Sequence, residues 1–146
     1  DTSIPATSLN DLSPIVWSVD LPAARGQDTG AWATPALSED GLLYVVADSG
    51  DLISVDTDTG NVVWSDNVGA NAWSSPLIVD NTLLIITNCL NEEHGLRAYD
   101  LDDPLAPAKM WEVTITSGGC IEATPAIWNG QIFVGSRDGF LYAFGS

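Results

Sequence analysis

The sequence predicts an all-β fold, a β-propeller segment of about three four-stranded antiparallel blades. Three observations carry that expectation. Short apolar runs alternate with Gly, Asp, Asn and Pro clusters, and no stretch holds apolar residues at helical spacing over three turns. Tryptophans recur at a fixed interval, with 47 residues from Trp17 to Trp64 and 47 from Trp64 to Trp111. That period is about the length of one propeller blade. Finally, residues 41–52 and 130–141 align without a gap, so whole strand–turn–strand units repeat, not just single residues.

Residues 1–13 read as an N-terminal arm or degenerate strand, and 14–20 (PIVWSVD) as a fourth strand that closes the last blade. The first blade, 31–68, opens at Trp32-Ala33-Thr34-Pro35-Ala36-Leu37 and turns at Glu39-Asp40-Gly41. It runs on through 42–46, the Asp48-Ser49-Gly50 turn and 52–55. It ends in the hairpin of 54–64 (SVDTDTGNVVW), where Gly60 can take a positive φ between two β-branched runs. The second blade, 70–115, begins at Trp73-Ser74-Ser75-Pro76 and continues through 83–87, an enlarged turn at 88–94, and 96–99. A connection at 100–109 with two prolines then leads to 111–115. The third, 118–146, has strands at 121–127, 132–135 and 141–144 and lacks the tryptophan-bearing fourth.

Three blades do not close a ring, since propellers need four to eight. Further blades are therefore expected as partners, either from the rest of a longer chain or from a second copy. Two copies exchanging N-terminal strands would make six blades. The chain starts at Asp1 and not Met, which reads as a processed, trimmed or excised product.

The composition excludes several classes. Twenty acidic against four basic residues, net charge −16, argue against nucleic acid and against anionic membrane surfaces. An acidic coat of this kind suits hydration, including in a salty milieu. No apolar run approaches a bilayer span, so no transmembrane segment is expected. GxSxG, HExxH, P-loop and GxGxxG patterns are all missing, and the one histidine, His94, sits in a polar turn. No catalytic residue and no metal site is predicted. Asp56-Thr57-Asp58-Thr59-Gly60 resembles the start of a calcium loop but lacks the distal glutamate, and a turn explains it better.

Ser54-x-Asp56-x-x-Thr59-Gly60-x-x-x-Trp64 resembles the tryptophan-docking repeat of quinoprotein-type (PQQ-like) β-propellers. Ala33-Thr34-Pro35-Ala36, Ala123-Thr124-Pro125-Ala126 and Asp138-Gly139-Phe140-Leu141-Tyr142-Ala143-Phe144 are similar to the same family. The resemblance covers about 14–146. It implies that Trp17, Trp64 and Trp111 pack between neighbouring blades, stacked over a glycine turn such as Gly60. It also implies a periplasmic or extracellular location. Some members hold pyrroloquinoline quinone with Ca²⁺; others bind none and act as interaction scaffolds, and fold alone does not decide between them. The scaffold branch is the expectation here, with a fragment of a PQQ-dependent dehydrogenase, its ligands elsewhere, as the alternative. No adjacent cysteine pair of the quinone-enzyme kind is present.

In such a fold the loops starting the innermost strands share one face with the turns between second and third strands. Trp32 and Trp73 hold the same repeat position there and offer stacking surfaces. Glu122 is the acid beside an inner-strand start, and Arg137 a cation on the same face. These four are the candidates for a binding site. The plainer alternatives are inter-blade packing for the indoles and an ion pair of Arg137 with Glu122 or Asp138. Cys89 and Cys120 fall on that face too, as either a disulfide or two buried thiols. A disulfide closing a loop of about thirty residues is worth about 3–4 kcal/mol in the chain-entropy model.

Overall fold

The computed structural model describes residues 15–21, 30–69, 72–80, 82–86, 95–115 and 119–145. Within them the chain forms eleven strands and no helix: β1 (Ala36–Leu37), β2 (Leu42–Val46), β3 (Asp51–Asp56), β4 (Val62–Asn67), β5 (Leu77–Val79), β6 (Thr82–Ile86), β7 (Gly95–Asp100), β8 (Ala108–Thr114), β9 (Ala126–Trp128), β10 (Gln131–Gly135) and β11 (Leu141–Phe144). They make three antiparallel meanders, ordered β1-β2-β3-β4, β5-β6-β7-β8 and β11-β10-β9. The arrangement is a partial β-propeller. No helix among the described residues is long and apolar enough to cross a membrane.

The first and second sheets face each other across a core of Leu42, Tyr44, Val46, Leu52, Val68, Ala72, Leu83, Ile85, Tyr99 and Leu101, with Trp64 and Ile78 against it. Leu96, Ile115, Ile121 and Val134, flanked by Trp111, Ile132, Tyr142 and Phe144, fill the gap between the second and third. Both apolar faces of the middle sheet are thus covered, which explains near-continuous apolar runs such as 83–86.

Local chemistry fixes the strand ends. Inner strands were expected to begin at Trp32, Trp73 and Ile121, yet pairing starts only at Ala36, Leu77 and Ala126. Pro35, Pro76 and Pro125 lack the N–H a ladder needs, so the segments before them stay outside the sheet. Conversely, β8 begins at Ala108, inside the stretch expected to be a connection, because Asp100 pairs with Ala108 and Tyr99 with Lys109.

The repeat shows in the register. Ser54 lies opposite Trp64, and the ladder shifts between Ser54 and Val55. Ala98 lies opposite Trp111, and the ladder shifts between Ala98 and Tyr99. An irregularity directly after the residue facing each tryptophan bends both strand pairs at the same place.

Residues 15–21 belong to none of the three sheets, and the third sheet has three strands. Trp17, Val19 and Leu21 pack instead on the outer face of the first sheet, against Val45, Ile53, Val55 and Leu43. Every second residue is turned in, the burial period of a strand. The expected arm (1–13) and Pro14 lie outside the described residues.

Candidate functional site

The turn that opens toward Trp17 is built by its own polar side chains. Asp56 Oδ1 accepts from Asp58 N (3.1 Å), Thr59 N (2.8 Å) and Thr59 Oγ1 (2.7 Å). These bonds, the Thr59 hydroxyl first, hold the Asp56 carboxyl below the usual range. Gly60 follows at φ +73°. With Oδ1 saturated from within, this segment is a structural turn. The ring of Trp17 lies on Gly60, where a Cβ would stand 2.8 Å from Cγ and Cδ2, and its Nε1 donates to Thr57 O at 2.8 Å.

The other two repeat tryptophans sit differently. Trp64 meets Tyr99 edge-on, centroids 5.6 Å apart, and the Tyr99 hydroxyl donates to Asp66 Oδ2 at 2.6 Å. Trp111 lines a groove of about 330 Å³ with Val113, Gly130, Ile132, Phe144 and Gly145. Among the described residues only Trp17 lies over a glycine.

At the start of the inner strands the chain makes a second construction. The turn between β2 and β3 reaches the segment before β1 through Asp48 N, which donates to Gly30 O at 3.0 Å. Its counterpart between β10 and β11 does the same through Arg137 N, donating to Cys120 O at 2.9 Å. Gly119 permits that approach, because a Cβ there would run into Ser136 and into the backbone of Asp138. The turns and the lead-in segments therefore share one end of the fold.

At this end a cleft of about 370 Å³ is lined by Trp32, Trp73 and Glu122. The three hold one repeat position, each three residues before the proline of its unit. Trp32 is 77% exposed and Trp73 40%. The indole of Trp73 is anchored, for its Nε1 donates to Asp48 Oδ1 at 2.5 Å. Asp48 itself is only 4% exposed. Nearby, Thr34 N donates to Ser75 Oγ at 2.9 Å and ties the two lead-in segments together. Glu122 Oε1 accepts from Arg137 Nη1 at 2.9 Å, so the fourth candidate touches the cleft through the third. The structure thus gathers all four candidates, three as walls and Arg137 behind Glu122.

Sequence reasoning missed Asp48 and Ser75. The turn of Asp48 was expected on this face, but Asp48 itself was given no role; the available signal was its alignment with Arg137, a position that in both units carries a charge. Cys120 is buried and disulfide-bonded. Cys89 lies outside the described residues, as do His94 and the rest of the enlarged turn.

The donor set does not fit a cation-bound quinone. Glu122 is the one carboxylate among the lining residues, the other walls are indoles, and among the described residues no three His, Cys, Asp or Glu side chains gather to hold a metal ion.

Comparison with known proteins gives the following. Residues 11–106 match the profile of the family described as outer membrane protein assembly factor BamB. The crystal structure of BamB from Moraxella catarrhalis superposes with TM-score 0.65 at 22% identity, over 88% of this chain and 36% of that one. The quinohemoprotein alcohol dehydrogenase ADHIIG from Pseudomonas putida HK5 superposes with TM-score 0.66 at 16% identity, over 81% of this chain and 19% of that one. At those identities the likeness is one of fold. This chain spans about a third of the former and a fifth of the latter. No curated protein sequence matches it.

Proposed function

Because this chain belongs to the PQQ-like propeller family described as outer membrane protein assembly factor BamB, we propose that it is a non-enzymatic binding and scaffold module working in an extracytoplasmic, periplasmic or extracellular setting. One observation carries the reading: two indoles and a carboxylate at one repeat position line an open cleft, and a buried acid fixes one of the indoles. A rigid aromatic face beside a polar rim is the usual make-up of a contact surface. Trp32, Trp73, Glu122 and Arg137 form that surface, while Trp17, Gly60, Trp64 and Trp111 serve the architecture. The blades are 31–68, 70–115 and 118–146, and further blades complete the ring, from a second copy or from the rest of a longer chain. Solution mass separates these two, since a strand-exchanged pair would weigh twice 15.4 kDa.

A second reading, a segment of a quinoprotein dehydrogenase, is favoured by the likeness to the Pseudomonas enzyme. Near-ultraviolet absorbance of natively purified protein decides between them. The scaffold reading expects the aromatic band alone; a stoichiometric quinone chromophore would overturn it.

A further inference from the structure

We infer that the Trp32–Trp73–Glu122 cleft receives a guanidinium side chain, an arginine presented by an extended basic segment of a protein partner. The inference rests on the binding-module reading and gives it a ligand class. The walls come first. An indole face attracts a cation through its quadrupole, and a guanidinium also stacks flat on it. Trp32 is open to solvent, and Trp73 is held in place by the bond from Nε1 to Asp48, so both rings are available without rearrangement.

Glu122 supplies the matching charge. It already accepts one guanidinium hydrogen bond, from Arg137 to Oε1; among the described residues Oε2 makes none. Arg137 is 64% exposed in its side chain, so this contact lies at the rim, and Oε2 remains open to a second cation. An open cleft with two indole walls and a carboxylate wall suits a long side chain with an apolar stem and a charged head.

The wider field agrees. Arg97 and Lys109 both pair with Glu112, and Arg137 with Glu122, so each described base is engaged by an acid. With twenty acids against four bases in the chain, a basic segment is steered in and an acidic one repelled. A neutral planar ligand would gain stacking but would cover Glu122 without answering its charge.

The test titrates a blocked Gly-Arg-Gly-Arg-Gly peptide, and its citrulline and lysine versions, into the ¹⁵N-labelled chain and follows the indole N–H signals. The arginine peptide should shift the Trp32 and Trp73 signals and bind at least about fivefold tighter than the citrulline peptide. Trp32→Ala and Glu122→Gln should each erase that margin. Asp58→Asn, which removes an acid from the distant Asp56–Gly60 turn, should preserve it. The inference is overturned by no indole shift, by equal binding of the citrulline or lysine peptide, or by a margin surviving in either cleft variant. Equal binding of all three peptides at these indoles would leave the binding-module reading standing. A bound quinone chromophore would instead overturn that reading.

Discussion

Replacing Gly60 by alanine tests how the segment 15–21 is fastened. Gly60 has φ +73°, a conformation that costs an L-residue about 1–2 kcal/mol. The added Cβ would also lie 2.8 Å from Cγ and Cδ2 of Trp17, closer than carbon atoms approach. The turn cannot retreat, since Gly60 N donates to Asp56 O at 2.8 Å and Asp56 braces Thr59 from within. The indole must move, and its bond to Thr57 O is lost, about 1 kcal/mol, with some of its packing on Val45, Ile53 and Val55. Gly60→Ala should therefore destabilise by about 2–4 kcal/mol. In a Trp17→Ala background only the backbone share remains, so the same change should cost about 1–2 kcal/mol. Urea unfolding followed by far-ultraviolet circular dichroism measures both without depending on tryptophan emission. Equal costs in the two backgrounds would show that the glycine is required by the turn alone, and the docking argument would fall.

Ser54 is fully buried, and among the described residues its Oγ finds no hydrogen-bond partner, whereas Ala98 and Ala143 hold the same repeat position. Ser54→Ala should be neutral or stabilise by about 1 kcal/mol, read as the urea midpoint; a clear loss would mean the hydroxyl is satisfied. The hydroxyl of Tyr99 is pushed well above its ordinary value by burial, by its bond to Asp66 and by that residue's charge; Tyr44 is raised too, by burial and by Asp40. With folded values above the unfolded one, the associated stability is intact below about pH 10 and falls as pH rises past it. Tyr99→Phe should make that alkaline decline shallower in urea midpoints taken from pH 9 to pH 11, and an unchanged slope would count against the assignment. We propose Cys89 as the partner of Cys120. A non-reducing peptide map should show the two cysteines linked, and reduction should lower stability by about 3–4 kcal/mol, whereas two free thiols by mass would refute the pairing.

The strands that the sequence placed best are those bounded by turns with glycine at a fixed offset, such as Leu42–Val46 and Leu141–Phe144. Their edges are set locally, by residues that need positive φ. The inner strands proved shorter because a ladder needs a donor, and proline's missing one weighs more than the apolar pattern around it. The start of β8 was hidden for the opposite reason. Ala108-Lys109-Met110 follows two prolines and is exposed throughout, and it joins the ladder because β7 offers an unpaired edge. Around the cleft, residue types and their shared position were legible. The bond between Trp73 and Asp48 was not, since it joins a lead-in segment to the turn of another blade, twenty-five residues away.

That bond has a mechanical meaning. The first and second sheets are joined ahead of β1 and β5 by Trp73–Asp48 and Thr34–Ser75, and between β4 and β7 by Tyr99–Asp66 and by Arg97 Nη1 on Asn67 O. An apolar interface by itself is a poor angle gauge, because oily faces can slide or splay with little change in area. Pinned at both margins, the two sheets form a wedge of fixed opening. The width of the mouth between Trp32 and Trp73 is then a property of rivets several strands apart, and loosening one between β4 and β7 would change the cleft ahead of β1 and β5.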